Sequence, residues 1–509
     1  MKLGSLRLSK GHRKFLSCII LFLICAFWLL QPLHAQSLQP HPSIEPLFLP
    51  EDVLVNPNSA NASLSADEVF ILSLLFSECQ LDSQEGIECL KQFDRLKQKV
   101  SGEAFSRLIL EERGRAVLKL LYQDYLTTYD FNQTRTNVAL QTGVYNCVSS
   151  ALLYMAVAKA AGIEVRGQKT SEHAFCTVYI PGSKAGQYTK IDVETTNPYG
   201  FNPGSKETIE NEDKIQGYYV VPKKYYSNRQ EVSDTLFAGL IAGNICAACI
   251  EQDNYEKAIP LGATRYEFVK SEKTKPAAQV RNDFDILASN YVNTKVESAQ
   301  VFQGYVEWFT SFIDRWGMTD YLQKNMDNAF NNLMVYCFDE KNYEIAAASY
   351  EKSKPYLTQK QISTITDILT DILVSSKIEG QPAEVQIQEI EMLLQEGQLE
   401  PAQEKRALVY LENAWLSILN ECMTGRTYGT GYQKSCEALE RLPESSKIKK
   451  MQKSFYDNCI AIIHNNFAEQ ANAKRFDQAR QVLEAGMQVF PDDKTLKNDL
   501  NMLNRMTAN

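Results

Sequence analysis

The sequence predicts an α+β core, one helix packed on a small antiparallel sheet, followed by an all-α helical array. Two observations carry the core. A helical pattern over residues 147–161, stopped by Gly162, runs straight into short β-rich stretches at Ile163–Val165, Ala174–Ile180, Tyr188–Val193 and Tyr218–Val221. Pro181-Gly182 and Asn197-Pro198 mark turns between them, and a helix followed by such a sheet is an α+β arrangement. The array rests on a third observation. Strand signals fade from about residue 230 onward, where an aromatic residue followed three later by Ala recurs as Tyr255/Ala258, Tyr343/Ala346 and Phe476/Ala479.

The bulk properties fit a globular chain. Of 509 residues 44% are hydrophobic and 23% charged, which excludes wholesale disorder and collagen-like repeats. The formal net charge is −9 with no basic stripe, so no nucleic-acid partner is expected. No cofactor is implied.

Residues 1–35 read as a targeting segment. Lys2, Arg7, Lys10, Arg13 and Lys14 precede the apolar run Phe15–Leu30, which Gln31-Pro32 breaks ahead of Leu33-His34-Ala35. This is the pattern of a secretory signal cleaved after Ala35, although Leu33 is bulky for a cleavage site; the other reading is an uncleaved anchor, the only membrane attachment expected. Either way the body is exported: periplasmic, at the cell surface or secreted. Ten cysteines then sit in an oxidising compartment. Cys79 and Cys89 could bridge a helix hairpin or remain two buried thiols; both readings stand.

Residues 36–64, with Pro40, Pro42, Pro46, Pro50 and Pro57, read as a flexible linker. A domain over 65–228 opens on Ser65-Ala66-Asp67-Glu68, a capping box before an apolar helix. Helical patterns follow over 87–100 and 103–128. Asn61-Ala62-Ser63 and Asn132-Gln133-Thr134 are glycosylation sequons, meaningful only in a eukaryotic secretory route.

Residues 229–509 form the expected array. The aromatic, the Ala three later and, in the last copy, Pro491 fifteen beyond Phe476 resemble the second half of a tetratricopeptide repeat, which implies stacked helix pairs and a protein partner on their surface. Cys246-Ala247-Ala248-Cys249 lies in a small-residue helix. It has no second ligand pair for zinc and no adjoining strand for a redox motif, so it reads as close helix packing, and no metal site is expected.

The chemistry concentrates in the core. Cys147 opens a helix behind Asn146, a natural N-cap, where free N–H groups and the helix dipole favour a thiolate. His173, the only histidine between residues 42 and 463, begins a β-rich stretch, and Asp192 ends the next. Neighbouring strands would set His173 beside Asp192, and the helix start would bring Cys147 to the imidazole: nucleophile, base and orienting carboxylate.

The stretches GVYNCVSSALLYMAVAKAAGIEV, EHAFCTVYI and KIDVETTNP together resemble the transglutaminase-like superfamily, papain-like in chemistry. The resemblance covers under a fifth of the chain. It implies Cys147 as nucleophile, His173 as general base and acid, and Asp192 as the residue that orients the imidazole. The chain departs from the family in carrying Val148 after the cysteine, Phe175 in the His-Ala-aromatic motif, and Val193-Glu194-Thr195 after the aspartate. For an oxyanion the Cys147 backbone N–H, the Gln141 side chain and Tyr145 are candidates.

The function expected is a cysteine-dependent acyl-transfer enzyme, an amide hydrolase (peptidase) or transamidase, acting on a peptide or protein substrate. Both reactions run through the same thioester. The alternative is a catalytically inactive fold of the same kind, serving with its helical array as a protein- or peptide-binding scaffold.

Overall fold

The computed structural model describes residues 40–507 apart from 56–62, 185, 204–225, 227 and 398. The proposed signal or anchor (1–35), the Tyr218–Val221 strand and the Asn61 sequon therefore lie outside the described residues. The chain is mostly helical, with one small antiparallel sheet and a helical C-terminal array. It divides into two compact units. One runs to residue 294 and includes 311–317; the other holds 295–310 and 318–509. The sequence boundary at 228/229 thus falls inside the first unit, which also takes in the first helices of the expected array.

The first unit is built around one buried helix. Its leading helices are α1 (Ala66–Phe76), α2 (Gln84–Ser101), α3 (Leu110–Asp124) and α4 (Thr136–Thr142), and α5 (Cys147–Ala160) follows. The capping box at Ser65 forms as expected: its hydroxyl accepts from the Glu68 amide at 3.2 Å and Glu68 accepts from the Ser65 amide at 2.9 Å. Every side chain of α5 from Cys147 to Ala158 is buried. A helix apolar or small on all faces must be covered on all faces. Helices α1 to α4 cover it on one side and the sheet on the other.

The sheet holds β1 (Glu164–Lys169), β2 (Ala174–Pro181), β3 (Tyr188–Val193) and β4 (Gln230–Val232), in the antiparallel order β3-β2-β1-β4. The Cys176 thiol donates to the Ala151 carbonyl at 3.3 Å, so the even-numbered side chains of β2 face α5. Helices α6 (Leu240–Ile250), α7 (Tyr255–Glu267) and α8 (Lys275–Val292) complete the unit. Residues 40–55 of the stretch read as a linker are tied to this unit. The Leu47 amide donates to Thr264 Oγ1 at 2.8 Å, His41 Nδ1 meets the Tyr291 hydroxyl at 2.7 Å, and the Trp316 indole donates to the Ile44 carbonyl at 3.0 Å.

The second unit is a succession of helices, among them Asp320–Asp339, Tyr343–Ser353, Pro401–Thr424, Tyr428–Arg441, Ser446–Asn472 and Phe476–Val489. One turn recurs along the chain, once in the first unit and three times here. Asp253, Lys341, Arg426 and Lys474 each sit at φ between 53° and 57°, and the next residue precedes a helix whose first residue is Tyr255, Tyr343, Tyr428 or Phe476. The amides of Asn254, Asn342, Thr427 and Arg475 return to the carbonyls of Cys249, Cys337, Cys422 and Gln470 at 2.8–3.0 Å. The amides of the four left-handed residues return to Ile250, Phe338, Met423 and Ala471. This doubled closure is a Schellman motif running directly into the next helix.

The small residue three after each aromatic is Ala258, Ala346, Gly431 or Ala479. The three alanines are fully buried, Tyr255 is buried, and Tyr343 and Phe476 are half-buried. At Gly431 a Cβ would stand 2.3 Å from the Phe455 ring. The glycine therefore lets that buried ring close on its helix, and burying a phenylalanine contributes about 2 kcal/mol.

Candidate active site

Gly143 sets the approach to the site. It ends α4 at φ 75°, where a Cβ would lie 2.5 Å from Thr127 Oγ1. The chain then pairs Val144–Tyr145 in parallel with Thr128–Tyr129 and reaches Asn146. Asn146 Oδ1 accepts from the Val148 and Ser149 amides at 2.9 and 3.1 Å, and Ser149 Oγ accepts from the Asn146 amide at 3.0 Å. This cap satisfies the second and third N–H groups of α5. The Cys147 N–H, at the first position, finds no acceptor among the described residues.

His173 closes the β1–β2 turn. Its amide donates to Thr170 Oγ1 at 2.9 Å, and its carbonyl accepts from the Thr170 amide at 2.8 Å. The Cys147 thiol lies near enough to the imidazole to act on its protonation. Its Nε2 is 2.7 Å from Glu194 Oε2, with the two side chains 2% and 3% exposed. With Nε2 committed to the carboxylate, Nδ1 is the nitrogen left for sulfur. Burial works against a charged ring, but the hydrogen bonds and charges of Cys147 and Glu194 outweigh it and push the His173 pKa up to about 10.

The carboxylate in contact with the imidazole is Glu194, not Asp192. The β2–β3 ladder sets Cys176 opposite Val193 and Thr177 opposite Asp192. Thr177 is four residues from His173, so the ladder leaves Asp192 about 13 Å along the sheet from it. Glu194 follows the end of β3, in the turn that brings its carboxylate to the imidazole. It accepts from Thr177 Oγ1 at 2.9 Å and pairs with Arg229. The two strands are neighbours as expected, and the carboxylate at the imidazole lies two residues beyond the one expected.

Glu194 is held at both oxygens. Oε2 takes His173 and the Tyr226 hydroxyl, each at 2.7 Å; Oε1 takes the Thr196 amide at 3.1 Å and the Thr196 hydroxyl at 2.8 Å. Burial and the Glu194 charge raise the Tyr226 pKa, so that phenol stays a donor. Gly200 permits the loop to fold back: its carbonyl accepts from the Glu194 amide at 2.8 Å, and a Cβ there would overlap the Glu194 carbonyl at 1.9 Å.

Two of the oxyanion candidates lie elsewhere. Tyr145 is fully buried, and its hydroxyl donates to the Thr196 carbonyl at 3.1 Å, while Tyr122 donates to the Thr195 carbonyl at 2.8 Å. These phenols brace the loop that carries Glu194. Gln141 turns its amide to Cys89 Sγ at 3.6 Å. The Cys147 N–H is the remaining candidate, without an acceptor among the described residues.

The ten described cysteines are all free thiols. Burial, with the neighbouring Cys79, pushes Cys89 up to about 12. Burial does the same to Cys246 and Cys337. Cys246 and Cys249 lie in the α6–α7 hairpin, where the Cys246 thiol donates to the Ala258 carbonyl at 3.3 Å. Among the described residues no cluster of His, Cys, Asp and Glu is arranged to hold a metal ion, and no helix is long and apolar enough to cross a membrane.

Compared with known proteins, the chain matches no protein-family model, no curated protein and no solved structure.

Proposed function

We propose that this chain is a cysteine-dependent acyl-transfer enzyme whose triad is Cys147, His173 and Glu194. The observation that carries the reading is the buried imidazole held between a helix-start thiol and a carboxylate with four donors. Cys147 attacks an amide carbonyl, and the negative charge that develops on oxygen is met by the Cys147 N–H. His173 takes the thiol proton as Cys147 attacks and delivers it to the leaving amine. The resulting thioester is resolved by water or a second amine, with His173 now taking the proton. Glu194 fixes the ring and stabilises its charged form.

The order Cys, His, acid on a helix start and two antiparallel strands supports a transglutaminase-like core, with glutamate in the place of the family's aspartate. The recurring hairpin turn supports tetratricopeptide-like packing of the helical array, which then offers a surface for a protein partner. The substrate is a peptide or protein amide, and the N-terminal pattern supports export. Intact-mass analysis of the full chain incubated with a library of activated peptide esters tests this: an acyl adduct on Cys147, absent in Cys147→Ala and turned over more slowly in His173→Ala, is expected. No adduct with any peptide, or adducts indifferent to Cys147, would overturn it.

A further inference from the structure

Helices α6, α7 and α8 enclose a pocket of about 270 Å³ inside the first unit. Its walls are mostly apolar (Ile250, Val280, Phe284 and Leu287), and the Arg265–Asp283 ion pair lines it among them. Gly243 lets the guanidinium lie on α6, since a Cβ there would stand 3.0 Å from Arg265 Cζ.

Arg265 is only 7% exposed, yet its guanidinium is poorly satisfied. Nη1 donates to Asp283 Oδ2 at 2.9 Å; Nε is sealed with no partner, and Nη2, which is not sealed, has no acceptor among the described residues. The sealed Nε bears the cost of an unmade hydrogen bond, and Nη2 is the donor left open to an oxygen from outside the chain. Asp283 is already shared with Gln279 Nε2 at 2.9 Å.

We propose that this pocket binds a small apolar monocarboxylate, its carboxylate on Arg265 Nη2 and its body along Ile250, Val280, Phe284 and Leu287. At about 30 Å³ per small group the volume holds roughly nine heavy atoms, the size of octanoate or of a C-terminal leucine. The site is separate from the Cys147 thiol and does not depend on its chemistry.

Isothermal titration of the full chain tests it, with octanoate as the free acid and N-acetyl-leucine as the mimic of a peptide C-terminus. Saturable one-to-one binding of either is expected, with the tighter acid identifying the source. Octanol, which keeps the body and loses the charge, should bind at least tenfold more weakly. Arg265→Met should reduce acid binding at least tenfold. Ala247→Phe, at an exposed position on the rim, should block it without touching the guanidinium, and keeps the test valid if the arginine variant misfolds. Absence of saturable binding by both acids, equal binding of octanol, or undiminished binding in Ala247→Phe would overturn the proposal.

Discussion

Thr196 folds back on Glu194 so that its amide and its hydroxyl both donate to the same carboxylate oxygen, at 3.1 and 2.8 Å. The oxygen that meets His173 is thereby aimed before any substrate arrives. Tyr145 and Tyr122 in turn hold the carbonyls of Thr196 and Thr195, so the loop that carries the acid is braced by these two phenols.

The two acidic residues of the KIDVETTNP stretch should separate cleanly. Glu194→Gln should slow iodoacetamide alkylation of Cys147 by about tenfold to a hundredfold, the usual effect of losing an orienting carboxylate. Asp192→Asn should change it less than about twofold and cost no more than about 1 kcal/mol of stability through the half-exposed Arg229 pair. The reverse ranking would return Asp192 to the triad.

Cys147 should be the most readily alkylated thiol of the folded chain. Its imidazole contact holds a proton nearby, whereas burial keeps Cys89, Cys246 and Cys337 near 12 and so neutral. Mass-spectrometric mapping of labelling against pH checks this. His173→Ala should slow Cys147 and leave the others unchanged; equal labelling of Cys147 and Cys337 at neutral pH would count against an active triad.

The raised His173 pKa makes stability depend on pH. The folded ring binds its proton more tightly than the unfolded ring, whose ordinary value is 6.5. Its contribution is therefore complete below pH 6.5, shrinks above it and is lost as pH rises through about 10. Denaturant unfolding of wild type and His173→Gln should differ by a few kcal/mol at pH 6 and converge by pH 10.5. A constant difference would show that the ring acts by packing alone.

The hairpin turns carry a removable strain. Lys341 sits at φ 54° without being glycine. Lys341→Gly should raise stability by about 1 kcal/mol, because a left-handed position disfavours a Cβ. Asn342→Ala should lower it by a similar amount, about 1 kcal/mol, by removing the cap on the Ile345 amide at 3.1 Å. Thermal melts of both variants give the sign directly.

Much of the core was legible because its signals are local. The Ser65–Glu68 box, Asn146 as cap, Gly162 as stop and the Tyr188–Val193 strand depend on neighbours a few residues away. What the sequence hid was long-range. Nothing near Asp192 or Glu194 states how β3 is set against β2 or how the turn after it folds, and these decide which carboxylate reaches His173. Gln230–Val232 escaped as a strand because three residues make no alternating pattern, and only pairing with β1 defines them. The fourth hairpin turn, at Thr427-Tyr428, was missed because its small residue is Gly431 where the others have alanine. The tie between residues 40–55 and α7–α8 was masked by proline content, which signals irregular backbone without saying whether it is anchored.

Cys249, Cys337 and Cys422 occupy one and the same place, the acceptor carbonyl at the foot of successive Schellman turns. Each of these hairpins therefore carries its own buried sulfhydryl at the point where it must fray to open. Pulsed thiol labelling under native conditions would time each opening separately. The chain thus contains a built-in set of local probes, able to distinguish an array that unzips from one end from one that melts as a block.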